Sequence, residues 1–539
     1  MNSLVIVLSA GALLFLAYRI YAAKLERLWH VDPLRATPAL SKYDSMDYVP
    51  AKNWVVLFGH HFSSIAGAGP IIGPVIAVMF WGWLPALLWV ILGTIFIGGI
   101  HDFGSLMTSV KEGGSSVADI AQRVISKKAK ILFSLFVWLA LILVIAVFAY
   151  LCADTFVKEP KIVLPSLGLI PVAMVVGYLL YFLGINTVLS TMFGITCMAG
   201  LLYFGNLFPI HGSISLWLLI LFVYCYFASV LPVNILLQPR DYLSSFLLFF
   251  GMGAGYAGLL ISHPKINMPF YHKWSTEQGM LWPALFITVA CGAVSGFHAL
   301  IASGTTSKQI ANERHAKRIG FGGMIAEACV AVLAILAAAL LFNTKQDFAA
   351  AFRKTTPIGI FAGGYGLITK NILGNFGPFI AITVLNAFIL TTLDTATRIS
   401  RYLTEELFNF KNRFLSTAII VIAGGALAFS GKWNKIWPVF GASNQLVAAL
   451  ALFVLSAWLL SRNKPAKFTL IPAFFMLLTT VAALILQALK YYREKDPLLF
   501  IVDIFLIILA GLMLKEILPA IFRRKDMILA AVGDPSHPE

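Results

Sequence analysis

Two segments repeat the pattern Gly-x-His-x5-Gly, which sets histidine and serine side chains between glycines inside long apolar stretches. The first copy covers residues 59–67 and the second covers 296–304. Glycine lets a membrane helix bend, whereas histidine and serine need polar partners that lipid cannot supply. A matched pair of such segments in two halves of a membrane protein is a strong sequence pointer to a transporter binding site. We therefore predict that both segments face a substrate.

The polar groups of both copies, with their glycines, form the predicted substrate-binding set. Its members are Gly59, His60, His61, Ser63, Ser64, Gly67, Gly69, Gly296, His298, Ser303, Gly304 and Thr305. A purely structural reading stays open for each copy. The first could be a kinked helix that packs through its small residues. The second could be a helix end that Ser and Thr side chains cap.

A second polar group lies near the end of a later apolar stretch. Thr391, Asp394, Thr395 and Arg398 occupy positions i, i+3, i+4 and i+7, which is one face of a helix. Asp394 and Arg398 could pair at this spacing. Because charges are costly inside a membrane, we predict a site for a coupling ion or proton, in which Arg398 positions Asp394. The alternative is a structural ion pair near the interface.

Two more ionisable residues join the predicted ion-coupling set. His101 could relay protons, since the pKa of histidine is near neutral. Its neighbour Asp102 points to a different helix face, so we expect no direct contact between the two. Glu327 lies about two turns inside its helix, from where its side chain could snorkel to the surface. For both His101 and Glu327 a structural reading is equally open.

Composition indicates the class of protein. Hydrophobic residues make up 59% of the 539 residues and charged residues only 12%, about half the share typical of soluble proteins. Apolar runs of about 20 residues recur along the chain, as membrane helices require. The net charge of +16 comes from basic residues between these runs, which is a topology signal rather than a nucleic-acid surface. We predict an all-α polytopic membrane protein without a nucleic-acid partner.

About 15 stretches are long enough to cross a bilayer. They fall near residues 3–22, 53–80, 83–109, 131–153, 166–184, 187–208, 213–231, 242–261, 281–303, 320–342, 377–403, 415–430, 434–461, 468–489 and 497–520. Basic residues are concentrated after the first, third and ninth, which predicts an outside N-terminus and a cytoplasmic C-terminus. On this count the two glycine–histidine spans cross in opposite directions, as an inverted repeat requires.

Several common enzyme signatures are missing from the sequence. There is no phosphate-binding G-x-x-x-x-G-K-[ST] loop, no H-E-x-x-H and no nucleophile elbow, which argues against an ATP-driven pump and common hydrolases. We predict no enzyme activity and no cofactor besides a coupling ion, H⁺ or Na⁺. Two alternatives remain: a nutrient-binding membrane sensor, and a haem- or metal-bearing enzyme built on the histidines His60, His61, His101 and His298.

Six longer strings carry a family resemblance. They occupy residues 59–74, 98–107, 238–246, 295–309, 391–402 and 440–446. With these strings the chain resembles the carbon starvation protein A family of bacterial inner-membrane proteins. The resemblance implies ion-driven uptake of small carbon and nitrogen sources, peptides or pyruvate, under starvation. It also implies a multi-pass protein whose LeuT-like core is built from inverted repeats, with peripheral helices around it.

The resemblance also suggests a division of the chain. Residues 1–52 would form an N-terminal helix and a basic cytoplasmic loop, residues 53–461 the transporter core, and 462–539 the C-terminal helices and a short cytoplasmic tail. Broken helices would lie near 53–80 and 281–308, and the Thr391 face would hold a cation. The expected partners are a small-molecule substrate and the lipid bilayer. The sequence leaves open whether the substrate is pyruvate or a peptide. It also leaves open whether the protein forms a homo-oligomer or binds a small accessory subunit.

Overall fold

The computed structural model describes residues 2–431 and 433–533, and it is almost entirely helical. The first twelve α-helices are α1 Ser3–Leu16, α2 Ala22–Leu28, α3 Pro38–Ser41, α4 Trp54–Ile65, α5 Gly69–Trp81, α6 Trp83–Gly93, α7 Gly99–Lys111, α8 Val117–Val124, α9 Lys127–Lys158, α10 Val163–Tyr181, α11 Thr187–Leu207 and α12 Ile214–Val230. The others are α13 Leu237–Ser262, α14 Phe286–Thr288, α15 Gly296–Gly304, α16 Gly322–Leu341, α17 Lys345–Lys354, α18 Pro357–Leu373, α19 Gly377–Phe408, α20 Arg413–Phe429, α21 Trp433–Leu460, α22 Lys467–Arg493 and α23 Pro497–Gly533.

Short irregular elements join or extend these helices. The π-helical segments are Ala17–Tyr21, Thr94–Gly98, Leu281–Leu285 and Lys317–Phe321. The 3-10 segments are Pro160–Ile162, Thr306–Lys308, Glu313–His315 and Gly374–Phe376. Two short strands, β1 Ser275–Thr276 and β2 Gly279–Met280, pair antiparallel. The side chains of residues 523–533, and residues 534–539 at the end of the predicted tail, lie outside what the structure describes.

The lengths and apolar character of these helices confirm an all-α polytopic membrane protein. Within the described residues, 10 helical stretches are long and apolar enough to cross a membrane, or 11 if α4 and α5 form one bent span. Two shorter apolar helices, α12 and α20, add to this set. The finer count of 15 spans stays a prediction.

The first helix break separates α4 from α5, whose axes differ by 43°. Helix α4 ends at Ile65, and α5 begins at Gly69 with Pro70 in its first turn, where proline needs no backbone N–H donor. A Cβ atom on Gly69 would lie 2.1 Å from the Cβ of Cys291, so only glycine fits there. Because Cys291 belongs to the second break, the two breaks are in contact.

The second break separates α14 from α15 and covers residues 289–295. Gly292 within it has φ +70°, a left-handed conformation that favours glycine. Gly296 then starts α15 against α21. A Cβ atom on Gly296 would lie 2.3 Å from the carbonyl oxygen of Asn444, so this close approach also requires glycine. The Asn444 Oδ1 atom accepts a hydrogen bond from the backbone N–H of Phe297 at 2.9 Å, which fixes the start of α15.

The segment 343–376, which contains four glycines, is largely helical and contains α17 and α18. The Thr356 hydroxyl caps α18 by accepting from the Gly359 backbone N–H at 3.3 Å. Gly364 lies directly on α16, because a Cβ atom there would come within 2.1 Å of the Ala337 carbonyl oxygen. Small residues allow such close packing of membrane helices, and here they mark a contact between helices rather than a loop.

Candidate functional site

Helix α4 carries the first glycine–histidine segment into the centre of the fold. It packs against α13, α15, α16 and α19. The side chains of His60, His61, Ser63 and Ser64 are all fully buried. Successive positions on a helix point about 100° apart, so neighbouring residues face different helices. As a result, His60 and His61 belong to two different polar networks.

The first, which we name the Arg240 network, comprises His60, Tyr224, Arg240, Asp241 and Asp394. Arg240 Nη1 donates to Asp394 Oδ2 at 2.7 Å and to Asp241 Oδ1 at 3.1 Å. The Tyr224 hydroxyl donates to Asp394 Oδ2 at 2.5 Å. His60 Nδ1 lies 2.6 Å from Asp241 Oδ2. Both carboxylates are therefore paired with a guanidinium and bonded to a second polar side chain, although all five residues are buried.

Helix α19 joins this network to the end of α4 through hydroxyl groups. The Thr391 hydroxyl donates to the Ser63 carbonyl oxygen at 2.6 Å, and the Thr392 hydroxyl donates to the Ser64 carbonyl oxygen at 3.0 Å. The Ser64 and Thr395 hydroxyls lie 3.2 Å apart. The last carbonyls of a helix have no partner within the helix, and here the threonines satisfy them. Hydroxyl and carbonyl oxygens thus gather directly beside the first break.

The second network, the His298 cluster, comprises His61, His101, Asp102, His298 and Glu327. Asp102 Oδ2 lies 3.4 Å from His298 Nδ1 and 4.0 Å from His61 Nε2, while Asp102 Oδ1 lies 3.1 Å from His101 Nδ1. His298 Nε2 lies 3.6 Å from Glu327 Oε2. The expectation that His101 and Asp102 make no contact is wrong, because the 3.1 Å separation of His101 Nδ1 and Asp102 Oδ1 brings the two adjacent side chains together.

Three outside groups approach polar atoms of the His298 cluster within hydrogen-bond distance. Glu327 Oε1 accepts a hydrogen bond from the backbone N–H of Gly292, in the second break, at 3.3 Å. His61 Nδ1 lies 2.8 Å from the Thr306 hydroxyl. Met324 contributes its sulfur, 3.0 Å from His298 Nδ1. The cluster therefore connects the first broken helix to the backbone of the second.

Five buried atoms of the His298 cluster have no hydrogen-bond partner among the described residues. They are His61 Nε2, His101 Nε2, Asp102 Oδ2, His298 Nε2 and Glu327 Oε2. Buried polar atoms are normally satisfied, so such a concentration is unusual. Glu327 is fully buried and does not snorkel. Within the described part of the chain, no group of three or more His, Cys, Asp or Glu side chains is arranged to hold a metal ion.

The predicted pair between Asp394 and Arg398 is wrong. Asp394 pairs with Arg240 on α13, whereas Arg398 Nη1 donates to Asp47 Oδ1 at 2.7 Å. Arg398 Nη2 also donates to the Ala228 carbonyl oxygen at 2.9 Å. Spacing along one helix allowed the i,i+4 pair, but partners on other elements reach each side chain more directly. Arg398 thus holds a loop and not the carboxylate of Asp394.

Asp47 lies in the loop between α3 and α4 and fixes that loop to α19. Burial raises the pKa of its carboxyl group, but the charges of Arg398, Arg401 and Lys308 and a hydrogen bond from Tyr402 lower it further, to about 2. The Tyr402 hydroxyl donates to Asp47 Oδ1 at 2.5 Å. The carboxylate stays ionised over the physiological pH range, so the loop remains attached.

The remaining predicted residues lie outside both networks. The hydroxyls of Ser303 and Thr305 donate to carbonyl oxygens of their own helix, at 2.7 Å and 3.0 Å. Ser303 and Gly304 line a polar cleft together with Tyr48, Lys308, Tyr402 and Glu406. Gly59 and Gly67 allow close packing, since a Cβ atom there would lie 2.7 Å from Ser245 Oγ or 3.0 Å from Phe148 Cε2.

Sequence reasoning left four central residues out of the predicted site: Asp102, Tyr224, Arg240 and Asp241. Asp102 stood beside His101 but was set aside because adjacent residues diverge on a helix. Asp241 follows Arg240 in a short charged break within an apolar stretch, and that signal was available. Tyr224 gave none, because it lies in an ordinary apolar helix that meets α19 only in the folded chain.

Comparisons with known proteins agree with the sequence resemblance. A family model described as carbon starvation protein CstA matches residues 2–349 and 342–483. The chain is 31% identical to the peptide transporter CstA of Escherichia coli, over 89% of this chain and 80% of the relative. It is 30% identical to the pyruvate/proton symporter BtsT of the same bacterium, over 90% and 81%.

Solved structures support the fold alone. A crystal structure of the Eremococcus coleocola manganese transporter matches with a TM-score of 0.53 at 11% sequence identity, covering 90% of this chain and 99% of that chain. So low an identity carries no information on what this chain binds. The family match covers nearly the whole sequence, and the sequence prediction of the family is confirmed. The chain belongs to the carbon starvation protein CstA family.

Proposed function

We propose that this protein is a secondary active transporter. It imports small carboxylate-bearing nutrients, peptides or pyruvate, and this uptake is driven by a proton or sodium gradient. The observation that carries the proposal is the contact between two helix breaks, at Gly69 and Cys291, beside two buried polar networks. Broken helices that meet near the middle of a bundle are a recurring way to build a transporter site. Two relatives with peptide and pyruvate/proton transport in their names support it.

The architecture that fits this function is a LeuT-like core of two inverted repeats within residues 53–461. Helices α4 and α5 would be the broken helix of one repeat, and α14 and α15 that of the other. Residues 1–52 and 462–539 would be peripheral. The protein would lie in the bacterial inner membrane, with its N-terminus outside and its C-terminus in the cytoplasm, as the basic connections favour.

The substrate would bind between the two breaks. The first turns of α5 and α15 begin there, and helix N-termini attract carboxylates through free backbone N–H groups and the helix dipole. His60, His61, Ser63, Ser64 and His298 would line this region. All five are fully buried, so the described conformation is closed and transport requires the half-helices to move.

The coupling ion would bind beside the first break. Thr391 brings its hydroxyl to the Ser63 carbonyl and Thr395 brings its hydroxyl to the Ser64 hydroxyl, and such oxygens suit a sodium ion. Asp394 supplies a carboxylate one turn further along α19. Support for the site is the meeting of these oxygens at the end of a broken helix, where backbone carbonyls often coordinate ions.

Uptake into proteoliposomes tests the proposed function. Labelled pyruvate and a labelled dipeptide are offered separately, each with no gradient, an inward proton gradient or an inward sodium gradient. We expect one substrate to accumulate only when one gradient is imposed, and an ionophore that dissipates that gradient should abolish accumulation. Empty liposomes provide the background. Binding of either compound without any uptake would overturn the carrier and favour a sensor.

A further inference from the structure

We infer that the His298 cluster is the binding site of the coupling proton, and that Asp102 is the carboxylate through which His61 and His298 share it. This inference rests on the proposed function and deepens it, because it moves the proton away from Asp394. Four observations carry it: the charge balance of the cluster, its isolation from basic side chains, its unpaired atoms, and its position between the two broken helices.

The charge balance of the cluster requires bound protons. Asp102 and Glu327 are fully buried together with three imidazoles. An ionised carboxylate that is buried without a compensating charge costs far more than a protein tolerates. With three neutral imidazoles and two ionised carboxylates, the cluster carries two negative charges. Two additional protons make it neutral. Groups so close titrate as one coupled unit, so those protons belong to the cluster rather than to single residues.

No fixed cation of the described residues replaces these protons. On the adjoining π-helical segment, Lys317 pairs with Glu26 at 2.5 Å and Arg318 lies over the ring of Trp54, so both charges face away. Lys308, after α15, lies 4.2 Å from the ring centre of Tyr402.

The other titratable neighbours of the cluster carry no fixed positive charge. His60 on α4 turns to the Arg240 network, with its Nδ1 2.6 Å from Asp241. Cys291 in the second break lies near Glu327 and is a thiol. Met324 on α16 and Asn444 on α21 are uncharged. The charge of the cluster is therefore set by its own protons.

The unpaired atoms show that the cluster can accept and release a proton without losing an existing hydrogen bond. The separations of 3.4, 3.6 and 4.0 Å around His298 and Asp102 exceed a good hydrogen bond, which is near 3 Å. A proton added between two such atoms would shorten one separation and strengthen it. In contrast, the Arg240 network holds a guanidinium that proteins cannot deprotonate, and its carboxylates are already paired.

The position of the cluster couples its protonation to movement. Its members lie on α4, α7, α15 and α16, and Glu327 Oε1 also accepts from Gly292 in the second break. A rotation of α15 against α7 would change the distance from His298 to Asp102 and hence the affinity for a proton. By linkage, proton binding then favours one conformation by the same free energy. A gradient of protons would drive the half-helices in one direction.

Paired uptake assays with Asp102→Asn and Glu327→Gln test the site. Each variant keeps side-chain shape but loses an ionisable carboxylate. In proteoliposomes we expect accumulation driven by a proton gradient to fall about tenfold or more, since coupling free energies commonly reach that size. Exchange of labelled for unlabelled substrate at equal pH needs no net proton movement, so it should fall much less than accumulation does. Asp503→Asn is the matched control, because Asp503 is a buried carboxylate on the peripheral helix α23.

The outcomes separate this site from the function as a whole. Normal gradient-driven accumulation in both variants would overturn the proton site while leaving the transporter in place. Loss of exchange together with accumulation, in folded protein, would assign the cluster to the substrate instead. If wild-type protein shows no uptake at all, the proposed function fails and the site fails with it. Glu327→Asp keeps a carboxylate, so it should retain coupling even if another variant does not fold.

Discussion

The Arg240 network and the His298 cluster are both buried, both contain two carboxylates, and both touch α4, yet their geometry differs. In the Arg240 network the distances from donor to carboxylate are 2.5 to 3.1 Å. In the His298 cluster three of the four ion-pair distances exceed 3.3 Å, and five polar atoms have no partner among the described residues, against one in the Arg240 network, Arg240 Nη2. The first network holds its carboxylates in close ion pairs, and the second has the looser geometry that the proposed proton site requires.

The contrast teaches that burial alone does not distinguish a structural charge from a functional one. A buried carboxylate that is already paired with a guanidinium stays fixed, because every alternative leaves another charge unpaired. A carboxylate that several unpaired ring nitrogens surround offers a proton more than one place to bind. The adjacent residues His60 and His61 illustrate this, since His60 bonds a paired carboxylate while His61 faces the unpaired one.

Removing the guanidinium of the Arg240 network gives the largest expected loss of stability. Arg240→Met leaves Asp241 and Asp394 buried without a cation, which costs about 3–5 kcal/mol of unfolding free energy. Unfolding in mixed detergent micelles measures the loss. Arg462→Met is the control, because Arg462 pairs with Glu112 while its side chain is 47% exposed, and a surface pair contributes about 1 kcal/mol or less. Equal losses in the two variants would contradict the structural role of the Arg240 network.

Substitutions at the two ends of α15 test how closely this helix packs and whether that packing positions His298. Gly296→Ala places a Cβ atom 2.3 Å from the Asn444 carbonyl oxygen, and such overpacking costs about 1–3 kcal/mol. It should also displace His298 and reduce uptake. Gly304→Ala is the matched control, because its Cβ atom would meet its nearest neighbour at 3.5 Å. If both alanine variants had the same unfolding free energy, the close approach of α15 to α21 would be wrong.

Asp47, in the loop before α4, is a further carboxylate that is paired with arginine, as those of the Arg240 network are. Its pKa falls from 3.8 to about 2 in the folded protein, which corresponds to about 2 kcal/mol of stability. A lowered carboxyl pKa stabilises the fold above the unfolded value, so this contribution is complete above about pH 5 and is lost as pH falls towards 2.

Asp47→Asn should therefore lower unfolding free energy at pH 7 and flatten its dependence on pH between about 5 and 2. Thermal unfolding in detergent at several pH values measures both effects. Asp32→Asn, in another loop on the same stretch of chain, is the comparison variant. An unchanged pH dependence in Asp47→Asn would show that the loop is held by other contacts.

The smallest expected effect is a difference in stability between two histidine variants, one from each network. His298→Ala removes a ring whose Nε2 atom has no hydrogen bond, whereas His60→Ala removes the 2.6 Å contact with Asp241. Similar volume is lost in both, so His60→Ala should be less stable by about 1–3 kcal/mol, the worth of a hydrogen bond to a charged group. His298→Ala should remain folded but abolish uptake. Normal uptake by folded His298→Ala protein would refute its place in the site.

The amino-acid sequence by itself determined the class of protein and the position of the first break. Apolar runs specify membrane helices whatever their partners, because lipid forces each backbone to satisfy its own hydrogen bonds. Glycine and proline act locally, so the end of α4 and the start of α5 could be read from residues 65–70. The long family strings predicted the family, which the comparisons confirmed.

Only the tertiary structure decided which charges meet. Asp394 had an arginine one turn away on its own helix, yet its partner is Arg240, 154 positions earlier in the chain. Asp102 became the centre of a cluster because α4, α7, α15 and α16 converge on it. Helical periodicity fixes the face on which a side chain lies, but the helix opposite that face depends on how all helices pack. Pairing between helices is a property of the folded chain, since it needs distances that sequence spacing does not contain.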